Sequence, residues 1–156
     1  MSRTALLLAL VLAALTGMGC TPTLFMTRSF LVPEELKPSS TGYASLKSTG
    51  ETFDLTPIKA QEPKMGDRLQ VLEVHGSYIL VGEGWKRIWR VWPAGKDEAK
   101  YKAVKLESGP AGSVFQSPVL EVSGKCALVK WQSRTGPAQA FINADGDVDA
   151  KKCGDE

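Results

Sequence analysis

The sequence predicts an all-β protein: a single small antiparallel sandwich or barrel, placed after a leader and an irregular tether. Two observations carry this expectation. From about residue 43 onward, short runs rich in Val, Ile, Leu and aromatic residues alternate with Gly, Pro, Asp or Ser punctuation. Within that region the gaps between runs are short, which favours antiparallel neighbours. No period of about 20–50 residues recurs, so a solenoid is not expected.

The expected strands are 43–47, 68–74, 77–82, 86–92, 101–107, 113–116, 119–122, 126–132 and 138–143. His75-Gly76, Gly82-Glu83-Gly84 and Asp145-Gly146 fall between apolar runs and read as tight turns. Residues 85–92 admit a second reading. Trp85, Ile88, Trp89 and Trp92 fall at helical spacing. The flanking Gly84 and Pro93 and the β-forming Ile, Trp and Val favour a strand.

The N-terminus has a separate logic. Arg3 gives a positive head, and residues 5–15 are an unbroken apolar run. A spanning helix needs roughly 20 apolar residues, so this run is too short to cross a bilayer and fits a secretory leader. Gly17 and Gly19 follow, and then Cys20. Through Gly19-Cys20 the segment resembles a bacterial lipoprotein signal. That resemblance implies that Cys20 is the lipidated mature N-terminus, carrying palmitate or similar acyl chains. Thr21, rather than Asp, implies the outer membrane of a diderm cell. Ordinary cleavage after Gly17-Met18-Gly19 is the alternative, and it also leaves Cys20 as the first residue. The chain has three cysteines, so one is left over once two pair in an oxidising compartment, and a lipid thioether accounts for it. Each buried acyl methylene contributes about 0.8 kcal/mol, so several chains anchor stably.

The expected organisation is a signal peptide over 1–19, a lipid-anchored tether over 20–42 and a β domain over 43–156. The tether holds Pro22, Pro33 and Pro38 and ends in Ser39-Ser40-Thr41-Gly42, which argues against regular structure. Its apolar Phe25, Met26, Phe30, Leu31 and Val32 leave an early strand open. Cys126 and Cys153 are expected to form a disulfide, because both lie in the exported part.

Catalytic signals are sparse. The single histidine, His75, sits in an expected turn. No GxSxG, HExxH or Walker loop occurs. Asn143, Asp145, Asp147 and Asp149 alternate, but Gly146 is misplaced for an EF-hand loop and no Glu closes it. The expectation is therefore no enzyme, no metal site and no cofactor. The chain carries 19 Lys and Arg against 17 Asp and Glu, and loss of Arg3 with the leader brings the net charge from +2 to about +1. That is no nucleic-acid signature.

One surface feature remains. Lys86, Arg87, Arg90, Lys96, Lys100, Lys102 and Lys105 are interleaved with Trp85, Trp89, Trp92 and Tyr101, with Tyr78 nearby. Such a stretch can bind polyanions or stack on sugars. Tyr78, Trp85, Arg87, Trp89, Arg90 and Trp92 are the candidate ligand residues; the other reading puts the tryptophans in the core. Residues 65–89 also resemble the middle of a bacterial SH3-type domain through Gly66, Asp67, Val71, Leu72, Glu73, Gly76, Tyr78, Val81, Gly84 and Trp85. That resemblance implies a small barrel that binds cell-wall peptide or serves as an interaction module. Two functions are thus expected of a lipid-anchored envelope protein. One is a structural or interaction subunit of an outer-membrane or periplasmic assembly. The alternative is a module for cell wall or lipopolysaccharide, SH3-like or inhibitor-like, using residues 85–105. Partners are the membrane through the N-terminal lipid and an envelope protein or cell-wall polymer.

Overall fold

The structure is a computed structural model that describes residues 32–62, 64, 66–92, 100–104, 106, 114–148 and 153. The leader, Cys20 and most of the expected tether lie outside these residues, as do Lys96, Lys105 and Asp149. Among the described residues no helix is long and apolar enough to cross a membrane.

The fold is all-β, as expected. Among the described residues ten strands form three antiparallel sheets. In chain order they are β1 (Glu34–Leu36), β2 (Tyr43–Ser45), β3 (Thr52–Asp54), β4 (Leu69–Val74), β5 (Ser77–Gly82), β6 (Trp89–Trp92), β7 (Lys100–Ala103), β8 (Gln116–Ser123), β9 (Cys126–Ser133) and β10 (Gly136–Ile142). The main sheet has the order β1-β4-β5-β6-β7, the second β10-β9-β8, and β2 pairs with β3. A four-residue helix, α1 (Thr56–Lys59), follows β3 and starts with Pro57 in its first turn, where a missing N–H is harmless. Asp54 leads into it. The Thr56 hydroxyl and N–H hold the Asp54 carboxyl below its ordinary pKa.

Several boundaries differ from expectation. The segment assigned to the tether contains a strand: β1 pairs with β4, Glu34 opposite Val71, and Leu36 is fully buried. One buried leucine and a free sheet edge suffice to recruit three residues that punctuation alone marks as irregular. The expected strand 86–92 shortens to β6, so the strand reading replaces the helical stripe only from Trp89 onward. Of the expected segment 113–116 only Gln116 lies in β8, which also takes in 119–122, with a register shift between Gln116 and Val119; residue 113 lies outside the described residues. His75-Gly76 is a two-residue hairpin with both residues at positive φ, +46° and +80°, as a type I′ turn requires. Gly82-Glu83-Gly84 is no tight hairpin turn but the start of the longer 83–88 loop that joins the antiparallel β5 and β6. Gly84 instead donates to the Phe115 carbonyl and Phe115 to the Trp85 carbonyl, tying this loop to the approach of β8.

Register shows how the main sheet is covered. Val71, Leu80, Trp89 and Ala103 form one cross-strand row, and Glu73, Tyr78, Val91 and Tyr101 the next, on the same face. This face meets the β2–β3 hairpin: Phe53 packs edge-on against Tyr78 at 4.9 Å. The opposite face presents Gln70 with Val81, and Leu72 with Ile79 and Arg90. It packs against the second sheet, where Phe115 and Trp131 stack edge-to-face at 4.9 Å. Being covered on both sides explains why every residue of β5 is buried. Trp85 lies against Gly82, and a β-carbon built there would sit 2.6 Å from the indole and 2.9 Å from Leu69. Gly82→Ala should therefore cost about 1–3 kcal/mol by overpacking, read as a lower urea midpoint at unchanged slope.

Cys126 and Cys153 form the expected disulfide, with Cα atoms 5.3 Å apart. Cys126 shares the outward register of β9 with Leu128 and Lys130, so the bond pins residue 153 over the outer side of the second sheet.

Candidate functional site

The candidate ligand residues do not form an outward platform. Trp85, Trp89 and Tyr78 are 0%, 2% and 3% exposed, so the expected stacking surface is corrected: these rings are core. The reason is register, which turns Trp89 and Tyr78 toward the hairpin and α1 side of the main sheet. Their polar atoms meet internal partners. The Tyr78 hydroxyl donates to the Glu51 carboxylate. Glu62, 2% exposed, gathers three donors: the Lys86 N–H at 2.9 Å, the Arg87 guanidinium at 3.3 Å and the Trp89 indole N–H at 3.4 Å. Arg87 also donates to the Gln61 carbonyl at 3.1 Å. A carboxylate that far from water needs such donors. The 85–89 segment is thus organised from inside by one acid.

Arg90 and Trp92 remain partly exposed, on the other face. The Arg90 guanidinium lies 3.7 Å above the Trp92 ring and donates to the Asp145 carbonyl at 2.5 Å. Burial lowers the Arg90 pKa, while Asp145 and Asp147 raise it. The Asn143 side chain accepts from the Asp145 and Asp147 N–H groups, both at 2.9 Å, so the acidic turn is an Asn-closed loop seated on Arg90. No group of three His, Cys, Asp or Glu among the described residues is placed to hold a metal. His75 is exposed in its turn.

A concave feature lies elsewhere. A cleft of about 620 Å³ opens between the sheets where β1 and β8 form their edges. Its lower part is Val81, Leu120 and Pro118, and its rim holds Glu35, Arg68 and Glu83, while Glu34, opposite Val71, turns its carboxylate to the β2–β3 side of the main sheet. Gln70 struts the two sheets: its amide donates to the Pro118 carbonyl at 3.1 Å and accepts from the Leu120 N–H at 2.7 Å. Glu83 accepts from the Ser117 N–H at 2.8 Å, and Glu34 from the Lys47 and Ser48 N–H groups at 3.0 and 3.3 Å. Arg68 pairs with Glu35 at 3.2 Å. Ser117 holds φ at +46°, a left-handed conformation that side chains resist. Ser117→Gly should relieve this and leave the domain about 0.5 kcal/mol more stable, after the entropy that glycine adds to the unfolded chain. Thermal unfolding reads the change.

Sequence reasoning singled out Arg87 and Trp89 but missed Glu62, Glu51 and Gln70, which govern both regions. Nothing near them in the chain marks them, since Gln70 and Leu120 are 50 residues apart. No family model matches the chain, and no curated protein or solved structure matches it.

Proposed function

We propose that this is a lipid-anchored envelope protein whose β domain acts as a structural or interaction subunit of an outer-membrane or periplasmic assembly, not as an enzyme. The leader and Cys20 support the anchor. The observation that carries the subunit reading is the inward use of the aromatic and basic cluster: Tyr78, Trp85 and Trp89 pack in the core, and Arg87 is tied to Glu62. Those side chains brace the domain, and a ligand could not stack on the three buried rings. The likeness of residues 65–89 to SH3-type domains fits an interaction module as well.

The experiment is cross-linking of the full chain in intact cells, beside Cys20→Ala. The expected result is a discrete higher-mass species that disappears with Cys20→Ala, together with acyl labelling of the native chain only. A chain that stays monomeric and co-sediments with purified sacculi would replace this reading with the second one. That second reading, binding of cell wall or lipopolysaccharide, draws on Arg90 stacked over the half-buried Trp92 beside exposed Lys100 and Lys102.

A further inference from the structure

The end of the domain where the chain enters β1 bears on how the protein sits in its membrane. Resting on the lipid-anchored reading, we propose that this end lies directly on the phospholipid surface, with the apolar residues of the tether and Val122 in the interfacial layer.

Three pieces of chain converge there. β1 runs antiparallel to β4 with Glu34 opposite Val71, so the chain enters β1 from the Val74 end of the main sheet, where the His75-Gly76 turn lies. The second sheet brings the β8–β9 turn to the same end. Val122, Ala127 and Ile142 form one cross-strand row. Two residues past Ile142, the Ala144 carbonyl accepts from the hydroxyl of Ser77, the first residue of β5, at 3.0 Å. His75 and Lys125, at the tips of the two turns, are exposed.

Two apolar side chains are left open at this end. Val122 shares the inward register of Ala127 and Ile142, which are fully buried, yet it is 36% exposed on the edge strand β8. Val32, just before Pro33, is 74% exposed. Single exposed valines need no explanation, but these two stand where an apolar tether joins. Residues 21–31 lie outside the described residues, and their sequence holds Leu24, Phe25, Met26, Phe30 and Leu31 with one charge, Arg28. From Cys20 to Val32 an extended chain reaches about 40 Å at most. A polar linker would use that reach. Aromatic and aliphatic side chains beside an acylated residue instead partition to the lipid interface, adding their apolar area to that of the acyl chains. They draw Val32, and with it the Val122 end, down to the surface. Arg68, Glu83 and Ser117, which border the cleft, lie toward the opposite end, where Leu69 pairs with Gly82, and stay open to a partner.

The test uses the purified, acylated full chain in phosphatidylcholine vesicles with and without brominated acyl chains, which quench a tryptophan only on close approach. Flotation of the native chain with the vesicles reports the anchor separately. Single variants add one tryptophan each: Phe30→Trp in the tether, Val122→Trp and Lys125→Trp at the proposed end, and Lys86→Trp in the 83–88 loop at the far end. The expected result is that brominated vesicles remove most of the added emission in the first three and none in Lys86→Trp. Lys125→Trp, in an exposed turn, keeps the test decisive if Val122→Trp fails to fold. Adding Phe25→Ser/Phe30→Ser to Lys125→Trp should abolish its quenching and leave the unfolding temperature unchanged. Lys125→Trp unquenched, Lys86→Trp quenched equally, or a fall in unfolding temperature with Phe25→Ser/Phe30→Ser, which would place the tether on the domain, overturns the proposal. If the native chain still floats through such a failure, the end assignment falls and the anchored reading stands; a native chain that does not float overturns both.

Discussion

Glu62→Ala should lower the stability of the domain by about 2–4 kcal/mol. The carboxylate is 2% exposed, and its loss strips the acceptor from the Lys86 N–H, the Arg87 guanidinium and the Trp89 indole at once. The cost stays below that of a fully buried ion pair because the Arg87 side chain is 42% exposed and recovers water. Glu62→Gln separates charge from hydrogen bonding. It keeps one oxygen for the Lys86 N–H and should cost about half as much. Urea unfolding followed by tryptophan fluorescence reads both variants. Equal stability of Glu62→Ala and the native chain would mean that the 85–89 segment is held by packing of Trp85 and Trp89 alone.

Removal of the Cys126–Cys153 bond should have an effect of similar size. The cysteines are 27 residues apart in sequence. Closing a loop of that length restricts the unfolded chain by about 3.5 kcal/mol in the chain-entropy model. The expected result for Cys126→Ser/Cys153→Ser is a loss near that value. Both cysteines are buried, at 2% and 6% exposure, so mild reductant should leave the native bond intact unless the domain is first unfolded. Reduction at the same rate in the native and urea-unfolded protein would show that residue 153 is not packed on the second sheet.

These two effects have opposite relations to the sequence. The disulfide is foreseeable from counting, because three cysteines in a chain expected to be exported, one of them at the expected leader boundary, leave a single pair. Glu62 is invisible by the same means. Its donors lie 24–27 residues away, and it acquires them only because α1 leads the chain to the side of the main sheet on which register places Trp89. The basic and aromatic stretch shows the same limit. Composition identified Trp85, Arg87 and Trp89 as special without telling whether they face solvent or core. Alternation was no guide in 85–92, where neither face of the presumed strand is clean and where half of it is not strand at all.

The sheet edges explain another part. β1 was hidden in a Pro-punctuated stretch, since three residues carry too little pattern to be read, and its partner β4 supplies the pairing that stabilises it. The edges of the two larger sheets are each marked against further pairing: Pro33 at β1, Lys100 and Lys102 on β7, Pro118 on β8 and Pro137 on β10. Such residues appear in the sequence as interruptions, and only their place in the sheet shows them to be guards.

By itself the sequence determined the all-β class, the places of β2, β4, β5, β9 and β10, the His75-Gly76 turn and the cysteine pair. All of these rest on short-range chemistry: alternation, β-branched composition, turn residues able to take positive φ, and a count. The tertiary structure alone decided that the aromatic cluster faces inward, that Glu62 and Gln70 are the braces, and that a carboxylate-rimmed cleft opens between β1 and β8. Those features depend on which residues a register brings together across as many as 50 positions of chain, and no local pattern encodes that distance.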